Sequence, residues 1–443
     1  MIKMSIMSSD IEHVIQKAVS AFEFTKNLSS FERSEILKKI AQGIEKNSND
    51  FSQTITHEIG KTIRESERET SRSINTFLGA AEEAKRINGE IISLDHLSTT
   101  PKRMALVSRF PIGPILAISP FNYPLNLVAH KVAPALASGN SLVLKPAPHA
   151  KETAQKLASI IQKSGLPEGA FAVVSCSNEE TQAMVQDSRF KMLTFTGSAA
   201  TGWALKAKAV KKKVILELGG IAATIIAQDY APQKAIERCV YGAFSSAGQI
   251  CISVQTIYVH ETHFETFKDL FVKATLALKV ADPMDPKTDV GPLIDENAAK
   301  RVESWIKEAK AQGATILCGG TRKGRFIDPS VLINVTLSMK VCSEEVFGPV
   351  VNLISFKDMK EVYADLKRLP YGLQAGIFTN HLPTLFQAYE NIEVGGLIHN
   401  DIPTFRVDHM PYGGVKDSGF GREGLKYAIQ EMTEMRMLAL NLN

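Results

Sequence analysis

The chain has 443 residues, 44% hydrophobic and 22% charged, with a formal net charge of +4; it is too long for one core and too apolar for a disordered chain, so two or three folded units are expected. Its basic residues are dispersed apart from Lys211, Lys212 and Lys213, which read as a solvated turn before a strand, so no nucleic-acid partner is implied. No apolar run reaches the length of a membrane span, and five cysteines without a CxxC pair argue against a disulfide framework or a structural metal, leaving reduced thiols of which one is free to react.

The opening stretch "MIKMSIMSSDIEHVIQKAV" has the period of an amphipathic helix and lacks the apolar core of a signal peptide, so an intracellular protein is expected. Residues 10 to 90 repeat apolar positions at three- and four-residue steps and predict packing helices. "TTPKRMALVSRFPIG" alternates like an exposed strand pair, and the tail "MTEMRMLALNLN" would pair with it or with another subunit. From residue 104 onward "ILAIS", "SLVLK", "AFAVVS", "KMLTFTG" and "VILELGG" alternate with helical segments, the signature of a parallel sheet covered on both faces. A second such series, from "AATIIAQ" through "TIYVH", "VVNLISF" and "AGIFTN", begins near residue 220. The chain therefore divides near residue 220, and the two strand-like segments read as assembly elements.

Ligands of such sheets sit beyond the carboxyl ends of the strands, so the residues that follow strands carry the chemical interest. "ISPFNYP" presents Asn122, "VLKPAP" presents Lys145, and "FTGSAATGW" presents Gly197, Ser198 and Gly202, either a plain turn or a helix start open to a phosphate. Glu217, in "VILELGG" before Gly219, is an N-cap, half of a buried ion pair, or a general base with a raised pKa. Cys251 follows the small residues Ser245, Ser246 and Gly248, whereas Cys176, Cys239, Cys318 and Cys342 read as buried, inert thiols. "EEVFGPV" places Glu344, Glu345 and Phe347 before a strand, and "PYGGVKDSGFGREG" is a bent loop.

In this order, "SPFNYPL", "LKPA", "FTGS", "LELGG", "GQICI", "EEVFGPV" and "YGGVKDSGFGREG" resemble the motifs of the aldehyde dehydrogenase superfamily across nearly the whole chain. The resemblance implies an α/β fold with a Rossmann-type cofactor domain (1–96 and 112–219), a second α/β catalytic domain (220–413) and a small β oligomerisation element (97–111 and 430–443) joining a homodimer or homotetramer. It implies Cys251 as nucleophile, Asn122 and the Cys251 N–H as oxyanion donors, and Glu217 as the base that activates water against a thioester. Lys145, Gly197, Ser198, Gly219, Glu345 and Phe347 would hold NAD or NADP, with no metal. Many NAD-preferring relatives carry a glutamate three residues after the lysine; Pro148, followed by His149, stands there, which leans the expectation to NADP or dual use. Ile250 takes the place of an arginine in some phosphate-accepting relatives, and the loop wording is nearest the lactaldehyde dehydrogenase branch, so a small hydroxyaldehyde is the expected substrate. Succinic semialdehyde or an aliphatic aldehyde, a CoA-acylating reaction and an inactive binding paralogue are the alternatives. Arg406 and His409 read either as contacts for an anionic or hydroxylated tail or as an exposed loop pair. A cytoplasmic location completes the expectation.

Overall fold

Four helices, Ser9–Thr25, Ser30–Lys46, Ser48–Ile59 and Ile63–Ala84, open the computed structural model of this chain, which describes residues 7–442. The first six residues of the expected amino-terminal helix lie outside them. Local chemistry sets the helix limits. Ser29 and Glu32 form a reciprocal capping box at the start of the second helix. The third ends at Gly60, whose φ of +74° puts it in the left-handed region, and a Cβ there would meet Pro292 Cγ at 2.7 Å.

A six-stranded sheet follows, in the order Gly419–Phe420, Lys213–Glu217, Met192–Thr196, Ile115–Ile118, Leu142–Lys145, Phe171–Val173. All its pairings are parallel except that of Gly419–Phe420. Successive side chains point to opposite faces: Ile115, Ala117, Leu142 and Leu144 join one core, Leu116, Ile118 and Val143 another. Burial on both faces explains why these strands are continuous apolar runs. From Ile115–Ile118 the chain turns first to one side, at Leu142–Lys145, and later to the other, at Met192–Thr196, so the order reverses beside this strand and leaves a crevice at its carboxyl end.

The second series forms a seven-stranded sheet, Thr315–Cys318, Ser330–Ile333, Val350–Phe356, Val254–His260, Ala222–Ile226, Gln374–Phe378, Gly396–His399, parallel except at its first pair. Each sheet has its own apolar clusters. The third sheet resolves the open choice about the tail: Arg103–Pro111 pairs antiparallel with Thr433–Asn441 of the same chain and, on its other side, with Glu90–Ser93. No helix of the described residues is long and apolar enough to cross a membrane.

One buried ion pair ties the amino-terminal helices to the first sheet. Glu69, 1% exposed, bonds Lys61 and also accepts the N–H groups of Leu125 at 2.9 Å and Asn126 at 3.1 Å, at the start of the helix Asn126–Ala137. The Lys61 ammonium lies 3.4 Å from the centre of the Tyr123 ring. Removing one member of such a pair strands the other charge in the interior. Glu69→Ala is therefore expected to destabilise the fold by about 3–5 kcal/mol, read as a lower midpoint in urea unfolding.

Candidate active site

Strand Lys213–Glu217 leaves the first sheet and strand Ala222–Ile226 enters the second, joined by Leu218, Gly219, Gly220 and Ile221. Both glycines are needed for close approach. A Cβ on Gly219 would stand 2.4 Å from a Glu345 carboxylate oxygen, and one on Gly220 would stand 2.5 Å from the Cys251 carbonyl. Gly220 N–H donates to Glu345 at 3.0 Å. Phe347, at a φ of 48°, packs edge-on against Phe121 with centroids 5.9 Å apart, which brings "EVFGPV" beside Asn122.

Cys251 follows a tight loop in which Ser246, Ala247 and Gly248 take φ values of 48°, 54° and 72°. For the two non-glycine residues that conformation costs on the order of 1 kcal/mol or more each. The Glu65 carboxylate offsets it, accepting the Ser246 N–H through both oxygens at 2.9 and 3.0 Å. Gln249 continues the scaffold: its side chain accepts the Ile294 N–H at 2.9 Å, and its carbonyl accepts from Asn122 Nδ2 at 2.8 Å. One N–H of the Asn122 amide is thus engaged and the second is open to a ligand. The Cys251 N–H has no acceptor among the described residues.

Asn122, Cys251, Tyr412 and Arg406 line one narrow cleft of about 40 Å³. It shares Arg72, Tyr123, Thr404 and Arg406 with a wider cleft of about 480 Å³ that Arg68 and Arg238 also line. Cys251 is half-buried, and Tyr412 Oη lies 3.2 Å from its sulfur. Burial pushes the thiol up to about 12, against the hydrogen bond from Tyr412.

Glu217 is neither a cap nor an ion-pair partner. It is 3% exposed, and neither carboxylate oxygen has a hydrogen-bond partner. Burial, followed by the charge of Glu423, raises its carboxyl well above the ordinary value. A Cβ on Gly413, the residue after Tyr412, would lie 3.0 Å from Glu217 Oε1, and the charge of Glu217 is felt at Cys251. Glu423 is in the opposite condition: burial works against its charge, but Lys131 at 2.9 Å and Arg406 at 3.4 Å outweigh that and hold it below its ordinary value.

At the carboxyl ends of adjacent strands of the first sheet, Ser119 Oγ, Thr196 Oγ1 and both Glu217 oxygens are buried without partners. Ser198 opens the helix Ala199–Lys208 without capping it, leaving its N–H groups for an anion. Lys145 ends the neighbouring strand, and Pro148 begins a turn on which His149 is exposed. This row of unmatched donors and acceptors beside a helix start fits a dinucleotide.

Thus Asn122, Cys251 and Glu217 converge, Glu345, Gly219 and Phe347 border them, and Lys145, Gly197 and Ser198 lie at the carboxyl ends of the first sheet's strands. Two expectations change. Arg406 is no exposed loop residue: its side chain is 7% exposed and lies on the Tyr412 ring at 3.6 Å, whereas His409 is exposed. Cys176 is half-buried, unlike Cys239, Cys318 and Cys342. Lys131, Glu423, Tyr412 and Glu65 escaped the sequence reading. A lysine inside the apolar run "LVAHKVAPALA" was the one available signal among them.

Because the folded state favours protonated Glu217, its contribution is greatest below the ordinary carboxyl value of 4.5 and is lost as pH rises above it. Glu217→Gln escapes that loss. The Tm of the variant relative to wild type is expected to climb with pH from 4.5 to 9 in parallel calorimetric scans.

Comparison with known proteins agrees with this geometry. The aldehyde dehydrogenase family model matches residues 4–438. A 3-sulfolactaldehyde dehydrogenase of Priestia aryabhattai is 46% identical over 97% of this chain and 90% of its own. Aldehyde dehydrogenase 21 of Physcomitrella patens, solved with its reaction product succinate, superposes with a TM-score of 0.96 at 45% identity, over 98% of this chain and 90% of that one. Glyceraldehyde-3-phosphate dehydrogenase of Methanocaldococcus jannaschii, solved with NADP, gives a TM-score of 0.93 at 36% identity, over 99% and 96%. With a family model that spans nearly the whole sequence and relatives this similar over their full folds, this chain belongs to the aldehyde dehydrogenase family.

Proposed function

We propose that this NAD(P)-dependent aldehyde dehydrogenase oxidises a short hydroxyaldehyde with a negatively charged far end to the carboxylic acid. The observation that carries the reading is that the Cys251 cleft shares Arg72 and Arg406 with a wider cleft in which Arg68 and Arg238 stand among the carboxylates Glu65, Glu69 and Glu237. Of those arginines, Arg72 is paired with Asp408 at 2.7 Å and Arg238 with Asp401 at 2.7 Å. Arg68 has no carboxylate partner among the described residues, and the buried Arg406 Nε has no acceptor. Those two donors suit a sulfonate or carboxylate and a hydroxyl. The relatives whose names give a sulfonated aldehyde and a succinate product support the same chemistry.

The Cys251 thiolate adds to the aldehyde carbon, and the charge moves to the carbonyl oxygen. The free N–H of Asn122 and the Cys251 N–H donate to it, roughly 3–4 kcal/mol per donor. A dinucleotide held beside this carbon would supply the hydride acceptor. Glu217, deprotonated, draws a proton from water, which attacks the thioester carbon; the C–S bond breaks and the acid leaves. Lys145, Gly197, Ser198, Gly219, Glu345 and Phe347 would bind the dinucleotide, and the absence of an acid at Pro148 and His149 supports NADP or dual use. In this reading residues 1–96 and 112–219 serve the cofactor, and 220–413 the chemistry. The segments 97–111 and 430–443 serve assembly as a dimer or tetramer, supported by the exposed Met435, Met437 and Leu438. Five unpaired thiols suit a reducing compartment such as the cytoplasm.

A panel of 3-sulfolactaldehyde, succinic semialdehyde, lactaldehyde and propanal, with both cofactors, tests this. Charged aldehydes are expected to give the highest kcat/KM, and equal values for propanal would sink the tail assignment. Arg68→Ala should lower kcat/KM for charged substrates about tenfold, the worth of one charge-assisted hydrogen bond, and spare lactaldehyde. Cys251→Ala should abolish turnover, and Glu217→Gln should accumulate an acyl-enzyme seen by mass spectrometry.

A further inference from the structure

Tyr412 stands immediately before the paired glycines of the carboxyl-terminal loop, 3% exposed. Its hydroxyl, 3.2 Å from Cys251 Sγ, is the sulfur's one hydrogen-bond partner among the described residues. Its backbone is pinned to Glu423 by two hydrogen bonds, at 3.0 and 2.7 Å. The Arg406 guanidinium covers the ring face at 3.6 Å and is itself held by Glu423. A cation over a phenol ring draws electron density from it and strengthens the O–H as a donor. A thiolate can only accept, so once the sulfur is charged the direction of this contact is fixed.

We infer that Tyr412 is a catalytic residue whose hydroxyl stabilises the negative charge on Cys251 at the two points where the sulfur bears it. The first is before the thiolate adds to the aldehyde carbon. The second is when the thioester C–S bond breaks and its electron pair returns to the sulfur. The phenol keeps its proton throughout, and Tyr412 is neither oxidised nor reduced. Stabilising a thiolate lowers its nucleophilicity by only about half of what it adds to its population, so below the thiol's own pKa the net effect is faster attack. The groups facing the sulfur are Tyr412, Glu345, Arg406 and Glu217; both carboxylates oppose its charge, and Arg406 alone would remain to favour it.

The test is the pH dependence of Cys251 carboxyamidomethylation by iodoacetamide in the full-length protein, followed on the Cys251 peptide by mass spectrometry. Tyr412→Phe fills the same space without a donor. It is expected to move the midpoint up by about one pH unit, the strength of one charge-assisted hydrogen bond, with an unchanged Tm and about tenfold slower acyl-enzyme hydrolysis. Arg406→Lys, which loses the planar stacking, should move the midpoint the same way by less. An unchanged midpoint in Tyr412→Phe overturns the proposal; should that variant not fold, an unchanged midpoint in Arg406→Lys does so. The alkylation arm contains no aldehyde, so its midpoint is independent of substrate identity. A Cys251 peptide unreactive at every pH would overturn both this role and the nucleophile.

Discussion

Two residues without side chains carry the backbone from one sheet to the other. Gly219 and Gly220 pass between the Glu345 carboxylate and the Cys251 carbonyl, and neither neighbour leaves room for a Cβ. That closeness lets the carboxyl end of the first sheet abut the loop that bears the thiol. Everything at the site inherits its position from it: Glu217 from the strand before the glycines, Glu345 from the hydrogen bond to Gly220, Cys251 from the carbonyl that faces them.

Around this crossing the interior is unusually charged. Lys131, Glu423 and Arg406 satisfy one another, as do Lys61 and Glu69, so the buried cations near the site already have anions. Glu217 is left without one. A carboxylate buried without a hydrogen-bond partner, beside another carboxylate that holds the nearby cations, has its pKa driven upwards, the condition of a proton acceptor that works near neutrality. In the nucleophile loop, by contrast, the Glu65 carboxylate has a donor: it accepts the Ser246 N–H through both oxygens and holds that residue in a conformation that side-chain-bearing residues avoid.

The pleated core was legible because two-sided burial writes itself as unbroken apolar runs, and "SLVLK" and "KMLTFTG" became strands as expected. The places of Asn122, Glu217 and Cys251 were legible as well, since each stands at or near the end or the beginning of a strand. What could not be read was contact across distance in sequence. Tyr412 meets Cys251 across 161 positions and looks, in the chain, like any aromatic before a glycine turn. Arg406 was ambiguous for the same reason: only the folded loop shows it pressed on an aromatic ring. The tail's pairing was undecidable from alternation alone, because a strand pattern names no partner.

That pairing has a consequence for how the molecule is made. Arg103–Pro111 has Glu90–Ser93 on one side but finds its other neighbour only in Thr433–Asn441, and Gly419–Phe420 supplies the outermost member of the first sheet. A nascent polypeptide emerging from the ribosome therefore carries an unfinished edge until Thr433–Asn441 has been made. Closing so long a loop is entropically costly, and loss of Thr433–Asn441 would expose backbone that the folded molecule keeps matched.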